Sequence, residues 1–198
     1  MEVNIILSIL VGLGLSIAAG LRVFVPLLIA GVAIRMGWLD SLPIFQQEAT
    51  DLKLAHSWLS STPALIGLSV AMVTEVLAAK IVIVDHFLDM IAAPLAVAAG
   101  FLLTSTFMGP DVDPFFKYSF ALIAGGGSAA ITHTSSSLIR LFTLKSTAGV
   151  ANPVYAVTES TAAVGTSLLS IFLPISVFFF FIIVLGFFIF RKKKPASI

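Results

Sequence analysis

The feature that most constrains this chain is the length of its apolar runs. Residues 3–36 form one long, mainly apolar stretch, and further runs of about 20 residues fill most of the remaining sequence. A helix crosses the hydrocarbon core of a bilayer, about 30 Å thick, with about 20 residues. The composition, 59% apolar and 11% charged, also provides too few polar side chains to cover a water-exposed surface. The sequence therefore predicts an all-α, polytopic transmembrane helical bundle.

Interruptions of the apolar runs predict about seven spans. The first run is too long for one helix, and later helices are predicted to start at Thr62-Pro63 and at Asn152-Pro153, where a capping residue precedes proline. Candidate helix breaks fall at glycine, proline or a lone charge: Gly20, Arg22, Pro26, Gly125, Gly126 and Gly127. The predicted spans cover residues 3–20, 22–36, 62–83, 87–107, 116–141, 152–173 and 174–190.

The placement of basic residues predicts the orientation of the bundle. Residues 191–194 are consecutive Arg and Lys, and cytoplasmic ends of spans carry an excess of these residues. The tail, 191–198, is therefore predicted to be cytoplasmic, following a single transmembrane domain at 1–190. Counting back through seven crossings puts the N-terminus and the polar loop 37–61 outside. The N-terminus lacks a basic segment, so residues 1–20 are not interpreted as a cleaved signal peptide.

One short motif occurs twice, each time with a carboxylate inside an apolar run. Val73-Thr74-Glu75 and Val157-Thr158-Glu159 are each followed by an Ala pair at the same spacing. Three predicted crossings separate the copies, so they would point in opposite directions, as in the inverted repeats of transporters. Coincidence is the alternative, because the chain is rich in Ala, Val and Thr and the two glutamates lie at different distances from Pro63 and Pro153.

The two glutamates are the first candidates for a polar pathway, because intramembrane ionisable groups are costly and mark such pathways. Glu75 is predicted about 18 Å into its helix, where it must be protonated, paired or hydrated. A structural hydrogen bond is the alternative to a functional role. Glu159 lies nearer its helix start, where the helix dipole alone could favour a negative charge.

Other polar residues extend this candidate pathway. Asp85 and Asp89 are spaced i, i+4 and would share one helix face, or else belong to a solvated turn. His133 lies inside the fifth span as a candidate proton carrier, or as an imidazole satisfied by a neighbouring helix. Asn152 could present amides to a polar substrate, although an ordinary helix start also explains it.

Several function classes have no support in the sequence. Cysteine is absent, which removes disulfides and thiolate sites. The glycine triplet lacks the context of a phosphate-binding loop, and no metalloprotease or nucleophile-elbow spacing occurs. The chain is therefore not expected to be an enzyme, to carry a cofactor or to bind nucleic acid.

An ordered set of motifs also resembles the DUF4126 family of bacterial membrane proteins. The matching segments are Gly14-Leu15-Ser16, Ala18 to Leu28, Ser61 to Leu65, Glu75, Lys80 to Asp85, Asp89, His133, Asn152-Pro153 and Glu159. The resemblance implies a bacterial plasma (inner) membrane location and adds Lys80 to the candidate pathway, without implying a reaction.

The chain departs from the family pattern at four places. Ala79, Ala93, Ser136 and Ser160 stand where the family pattern has an acid, an arginine, a lysine and an acid, respectively. With fewer carboxylates, no strong metal site is expected.

These features lead to an expectation of a small membrane transporter or channel for an ion or small polar solute, with proton coupling through carboxylate and imidazole groups. The alternative is a non-transporting membrane scaffold or lipid-handling protein whose buried polar groups tie helices together. The bilayer and the solute are the expected partners, and a homodimer is expected because so small a bundle needs a second copy to enclose a path.

Overall fold

The computed structural model describes residues 2–39, 58–78, 82–108, 112–147 and 152–174, and most of these are helical. The helices are α1 (Glu2–Leu21), α2 (Phe24–Arg35), α3 (Thr62–Ala78), α4 (Val82–Phe107), α5 (Pro114–Phe120), α6 (Gly127–Thr147) and α7 (Asn152–Phe172). A π-helical segment, Ala121–Gly126, joins α5 to α6 in one continuous rod. These ranges contain no strand, which confirms the all-α prediction.

The helices described here overlap the first six predicted spans, but α4 begins at Val82, five residues before the predicted start at 87, and α6 continues to Thr147, beyond the predicted end at 141. The seventh, at 174–190, lies almost entirely outside the described residues, as do the tail and most of the polar loop, so the number of spans stays a prediction. Within the described helices, one window, Met90–Phe107, has both the length and the hydropathy of a membrane span. Ile5–Leu21, α2 and α3 are apolar but shorter.

Helix α1 occupies the centre of the bundle. It contacts α2, α4, α6 and α7, and Val11, Leu15 and Ala19 are fully buried in the main apolar cluster. A helix that is apolar all round is expected in such a position, because it has no face suited to water. The Ser16 hydroxyl lies 2.8 Å from both the Gly100 carbonyl oxygen and the Thr104 hydroxyl, which joins α1 to α4.

The helical conformation is interrupted once between α1 and α2, at Arg22 and Val23. The prediction of a further break near Pro26 is wrong, because Pro26 lies in the first turn of α2. A proline is tolerated there, since its missing N–H would have no partner inside the helix. Gly20 lies within α1 and serves close packing: a Cβ at this position would lie 2.5 Å from the Ala129 carbonyl oxygen of α6.

Local capping explains the ends of α2 and α3. Gly37, with φ of 68°, ends α2, and the Trp38 amide donates to the Ala33 carbonyl at 3.0 Å. This left-handed glycine termination satisfies the last carbonyl groups of the helix. The hydroxyl that caps α3 belongs to Ser61, which accepts from the Ala64 amide at 3.3 Å. The predicted cap, Thr62, instead accepts from the Arg35 guanidinium at 2.9 Å.

The glycine triplet alters its helix, as predicted. Gly125 and Gly126 belong to the π-helical segment, and Gly127 begins α6. A Cβ at Gly100 of α4 would lie 2.5 Å from the Gly125 carbonyl oxygen. The two glycines therefore allow the backbones of α4 and the π-helical segment to come into direct contact.

Helices α3 and α7 expose large apolar side chains. On α7, Ala163, Ser167 and Ser170 are fully buried, whereas Val157 and Leu169 are 59% and 47% exposed. On α3, the exposed apolar side chains recur at helical spacing: Ile66, Val70, Val73 and Leu77. This distribution is the reverse of that in a water-soluble bundle.

Candidate functional site

Arg22 lies at the centre of a buried cluster of charges. It follows the last residue of α1, and its side chain is 4% exposed. Burying a guanidinium is costly unless anionic groups surround it. Its position at the helix break is therefore explained by the carboxylates that neighbouring helices bring to it.

Glu159 of α7 provides the first of these carboxylates. Its Oε2 lies 3.0 Å from a terminal guanidinium nitrogen of Arg22 and 2.7 Å from one of Arg140. Its Oε1 accepts a hydrogen bond from the Ser136 hydroxyl. With its side chain only 1% exposed, Glu159 holds α6 and α7 to the end of α1 by charge-assisted bonds.

Tyr155 extends the hydrogen-bond network from Glu159 through Ser136. The Tyr155 and Ser136 hydroxyls are 2.9 Å apart, and the Tyr155 hydroxyl lies 3.1 Å from the Ser136 carbonyl oxygen. Because the Ser136 proton is donated to Glu159, the single Tyr155 hydroxyl proton is shared between these two Ser136 oxygens. Tyr155 lies one turn before Glu159 on α7, so the same face of this helix supplies both groups. The tyrosine thereby fixes the hydroxyl that donates to Glu159.

Glu75 of α3 provides the second carboxylate and binds differently. One carboxylate oxygen accepts from the Val23 amide at 2.9 Å, and the other accepts from the Phe24 amide at 3.2 Å. These amides are at the start of α2, where the first N–H groups have no partner inside the helix. Glu75 is therefore an anionic cap supplied by another helix, placed where the helix dipole favours negative charge.

The chain next to Arg22 links the two carboxylates. Arg22 pairs with Glu159, and the two residues that follow it, Val23 and Phe24, provide the amides that bind Glu75. Two arginines, Arg22 and Arg140, and two glutamates, Glu75 and Glu159, give these four residues a formal charge of zero. We call these four residues the charge cluster.

The helices place the charge cluster toward one end of the bundle. Arg22 directly follows α1, Glu75 lies in the last turn of α3, and Glu159 is two turns into α7. On α6, Ala129, His133 and Ser136 form one buried face, which Arg140 continues at the next turn. The close approach of Gly20 to α6 brings this face against the end of α1.

The structure thus brings together two of the predicted pathway residues, Glu75 and Glu159. His133 is buried one turn before Ser136, on the same face of α6. Asp85 and Asp89 lie in the first turns of α4 and Asn152 begins α7, but their side chains are outside the described part. Lys80 lies entirely outside it.

The partners of these carboxylates were not predicted from the sequence. Arg22 was predicted only as a helix break, and Arg140, Ser136 and Tyr155 were not proposed as site residues. One signal was available: a buried carboxylate needs a counter-charge, and Arg22 is a lone cation within an apolar run. The pairing with Arg140 is not visible in the sequence, because 19 positions separate it from Glu159.

The chemistry available to the site is that of ion pairing and hydrogen bonding. Across the ranges described, no three His, Asp or Glu residues are grouped as a metal site would require. One donor in the charge cluster has no acceptor among these residues, the buried Nε of Arg22.

Within the described residues, fold and site define an all-helical bundle with a charge cluster at a helix break, in which Arg22 and Glu159 are buried and Glu75 and Arg140 are partly buried. Residues 9–194 match the family described as a domain of unknown function, DUF4126. The chain belongs to this family, and the resemblance noted in its motifs is confirmed. Comparisons with curated proteins and with solved structures give no match.

Proposed function

We propose that this chain is a small membrane transporter or channel for an ion or small polar solute, with its path next to the charge cluster. Membrane insertion is supported by the outward display of large apolar side chains on α3 and α7 and by the span at Met90–Phe107. Buried polar groups in such a bundle mark the paths of solutes and protons.

The single observation that carries the transport proposal is the position of the amino end of α2, where its first amides bind Glu75 of the charge cluster. A helix that starts within the bundle, with its amides directed at a carboxylate, is the arrangement that transporters use to hold substrates. Glu75 is partly exposed and comes from another helix, so its contact with α2 can open without unfolding either helix. This contact between Glu75 and the two amides is the gate of the proposed path, the part that must open for a solute to pass.

A scaffold role is the second candidate, and the Glu159 network favours it. Both oxygens of this carboxylate are already bonded, and its side chain is almost completely buried. Ion pairs of this kind stabilise the packing of α1, α6 and α7, and they need no bound solute to do so. The inverted repeat, the homodimer, the orientation and the bacterial inner-membrane location remain part of the proposal.

Flux through reconstituted liposomes separates the two functions. The full chain is placed in liposomes that contain a pH-sensitive dye, and proton flux is measured across a pH gradient with Na⁺, K⁺, chloride or acetate as the accompanying ion. A transporter should give flux above protein-free liposomes with at least one of these ions. Protein that is folded and inserted but gives no flux with any of them supports the scaffold.

A matched pair of variants on α3 assigns that flux to the site. Glu75→Gln should lower it about tenfold or more, because the charge at the gate is lost. Thr74→Val should leave the flux unchanged, since Thr74 is exposed and, among the described residues, its hydroxyl bonds only to the Val70 carbonyl of its own helix. Equal flux in both variants would contradict a gate at Glu75.

A further inference from the structure

We propose that the bundle binds the interfacial layer of a phospholipid bilayer through a collar of aromatic side chains, and that this collar holds the charge cluster inside the hydrocarbon core. The inference rests on the proposed function, which it deepens by naming the lipid layer that the protein binds and the depth of the gate. The aromatic collar consists of exposed or partly exposed side chains on three elements: Trp38, Trp58, Phe115, Phe116 and Tyr118.

The two tryptophans of the collar lie at one level of the bundle. The Trp38 and Phe172 rings are 6.0 Å apart, so the end of α2 lies beside the end of α7. Trp58 belongs to the turn before α3, and this turn lies against α2, because a Cβ at Gly31 would be 2.7 Å from the Leu59 carbonyl oxygen. The tryptophans therefore lie where α2 and α7 end and α3 begins.

The other three aromatic side chains lie on α5, beyond the end of α4. A Cβ at Gly12 of α1 would be 2.9 Å from the Thr104 Cα of α4, and the Ser16 hydroxyl lies 2.8 Å from the Gly100 carbonyl oxygen. These contacts make α1 and α4 antiparallel, so α4 ends beside the beginning of α1. The Tyr118 ring lies 6.2 Å from the ring of an α4 phenylalanine, which holds α5 at that end.

The charge cluster lies at the opposite end from the collar. Glu159 pairs with Arg22, which directly follows α1, so α7 begins beside the end of α1 and ends beside its beginning. Glu159 precedes Phe172 by 13 residues, and Glu75 follows Thr62 at the start of α3 by the same number. At 1.5 Å per residue, the two glutamates are about 20 Å from the collar.

Exposed charges mark two levels of the bundle. Among the described side chains, the exposed charged ones are Arg35 at the end of α2, Asp113 at the start of α5 and Lys145 in the last turn of α6. Asp113 and Lys145 are 32 residues apart on one continuous rod. This separation is about 48 Å, close to the thickness of a bilayer with its headgroups, about 40–45 Å.

Between these two levels, exposed hydroxyl groups are satisfied by their own helices. Each donates to the carbonyl oxygen four residues earlier, at 2.7–2.9 Å, and the residues are Ser69, Thr74, Thr134, Ser135, Thr158 and Thr161. Acyl chains provide no hydrogen-bond partners, so a polar group that faces them must be satisfied within the protein. This part of the surface is therefore suited to the hydrocarbon core.

The side chains of the collar are suited to the interface instead. Phe115 is 82% exposed, and Trp58, Phe116 and Tyr118 are each about half exposed. Large exposed rings are costly in water, and indole and phenol groups also need hydrogen-bond partners that acyl chains lack. The interfacial layer provides both an apolar and a polar environment, and tryptophan and tyrosine are enriched there.

The depth of the gate follows from these distances. The hydrocarbon core is about 30 Å thick, so groups about 20 Å from the collar lie about 10 Å inside the opposite boundary. Arg140 is five residues from Lys145 on α6, or about 8 Å, which agrees with this position. The contact of Glu75 with its two amides is therefore inside the core, nearer to the side on which Lys145 lies.

The native tryptophans make the position of the collar measurable. Trp38→Phe leaves Trp58 as the sole tryptophan of the full chain. This variant is reconstituted in phosphatidylcholine liposomes whose acyl chains carry a nitroxide, either close to the headgroup or close to the bilayer centre. Quenching of Trp58 fluorescence should be about twofold greater, or more, with the shallow nitroxide.

A tryptophan moved along the exposed face of α3 is the matched control. Val70 is 62% exposed and lies eight residues, or about 12 Å, from the start of α3. With both native tryptophans replaced by phenylalanine, Val70→Trp should be quenched about twofold more by the deep nitroxide than by the shallow one. Val73→Trp, on the same face, is a second reporter for this depth if Val70→Trp does not insert.

Iodide, which stays in the aqueous phase, tests the depth of the charge cluster. Leu77 is 55% exposed and lies two residues after Glu75 on α3. In the chain without native tryptophans, Leu77→Trp should be quenched by iodide about threefold less than Trp58, and about as little as Val70→Trp.

The outcomes separate this inference from transport. Shallow quenching of Trp58 with deep quenching of the α3 reporter supports the collar, and protection of Leu77→Trp supports the depth. Deeper quenching of Trp58 overturns the collar, and equal iodide access to Leu77→Trp and Trp58 overturns the depth, while flux still decides transport. Quenching of every reporter by iodide and by neither nitroxide removes both proposals. The expected quenching without flux leaves the collar standing and removes transport.

Discussion

The two copies of the Val-Thr-Glu motif have the same local structure but different partners. In each, the valine and threonine are exposed, and the threonine hydroxyl bonds to the carbonyl four residues earlier, at 2.9 Å. Each glutamate points inward. Glu75 then meets two neutral amides at a helix end, whereas Glu159 meets two guanidinium groups and a hydroxyl.

This difference separates a carboxylate that pairs with two cations from one that caps a helix. Glu159 is almost completely buried and compensates two cations, so removing its charge affects every helix that it joins. Glu75 is partly exposed and caps one helix. Stability should therefore depend more strongly on Glu159, and the response to added solutes should depend more strongly on Glu75.

The largest expected effect is that of Glu159→Gln. Loss of this charge leaves Arg22 and Arg140 close together without a direct counter-ion, and breaking a buried pair costs about 3–5 kcal/mol. Equilibrium unfolding in mixed micelles, followed by circular dichroism, measures the loss. Thr158→Val, on the exposed face of the same turn, should change stability by less than about 0.5 kcal/mol. Similar values for the two variants would contradict the structural role of Glu159.

Gly20→Ala should have the next largest effect. The added Cβ would lie 2.5 Å from both the Ala129 carbonyl oxygen and the Thr132 Cβ, so α1 and α6 must separate, at a cost of about 1–3 kcal/mol. Gly165→Ala is the control, because no atom lies within 4 Å of its added Cβ. The control should be neutral or more stable than the wild type by up to about 1 kcal/mol.

The same glycine variant also tests whether the two glutamates stabilise different parts of the bundle. Since α6 carries Ser136 and Arg140, Gly20→Ala should be non-additive with Glu159→Gln, by about 0.5 kcal/mol or more. It should be closer to additive with Glu75→Gln, because the amide partners of Glu75 belong to Val23 and Phe24 and neither residue is on α6. Double-mutant cycles from the same unfolding experiment give both values, and the reverse pattern would contradict the separation of the two sites.

Glu75→Gln should have a smaller effect on stability than Glu159→Gln. It removes an anionic cap but leaves an amide oxygen that can still accept one of the two hydrogen bonds, so the expected loss is about 1–2 kcal/mol. Hydrogen exchange should accelerate at the Val23 and Phe24 amides. Unchanged protection of these two amides would show that Glu75 is not their acceptor in solution.

Tyr155→Phe should have the smallest effect. It removes the hydroxyl that bonds to Ser136 while keeping the ring, at a cost of about 1 kcal/mol. The chain has one other tyrosine, Tyr118, which is 54% exposed, and Tyr118→Phe should be close to neutral. A larger effect at Tyr118 would contradict the proposed support of Ser136.

Much of the fold could be predicted from the sequence because helix formation in this chain is local. Long apolar runs defined the helices, and the pairs Thr62-Pro63 and Asn152-Pro153 marked helix starts. The glycine triplet indicated an altered helix and became part of the π-helical segment. Pro26 misled the prediction because proline within the first turn does not break a helix.

The neighbours of Glu75 and Glu159 along the chain are enough to place both residues in apolar helices. The groups that these two carboxylates meet depend on how the helices pack. Arg22 is 137 positions from Glu159 in the chain, and the Val23 and Phe24 amides became donors only because α1 ends where it does. The physical reason is that an ion pair depends on distance in space, and packing of α6 and α7 against α1 sets that distance.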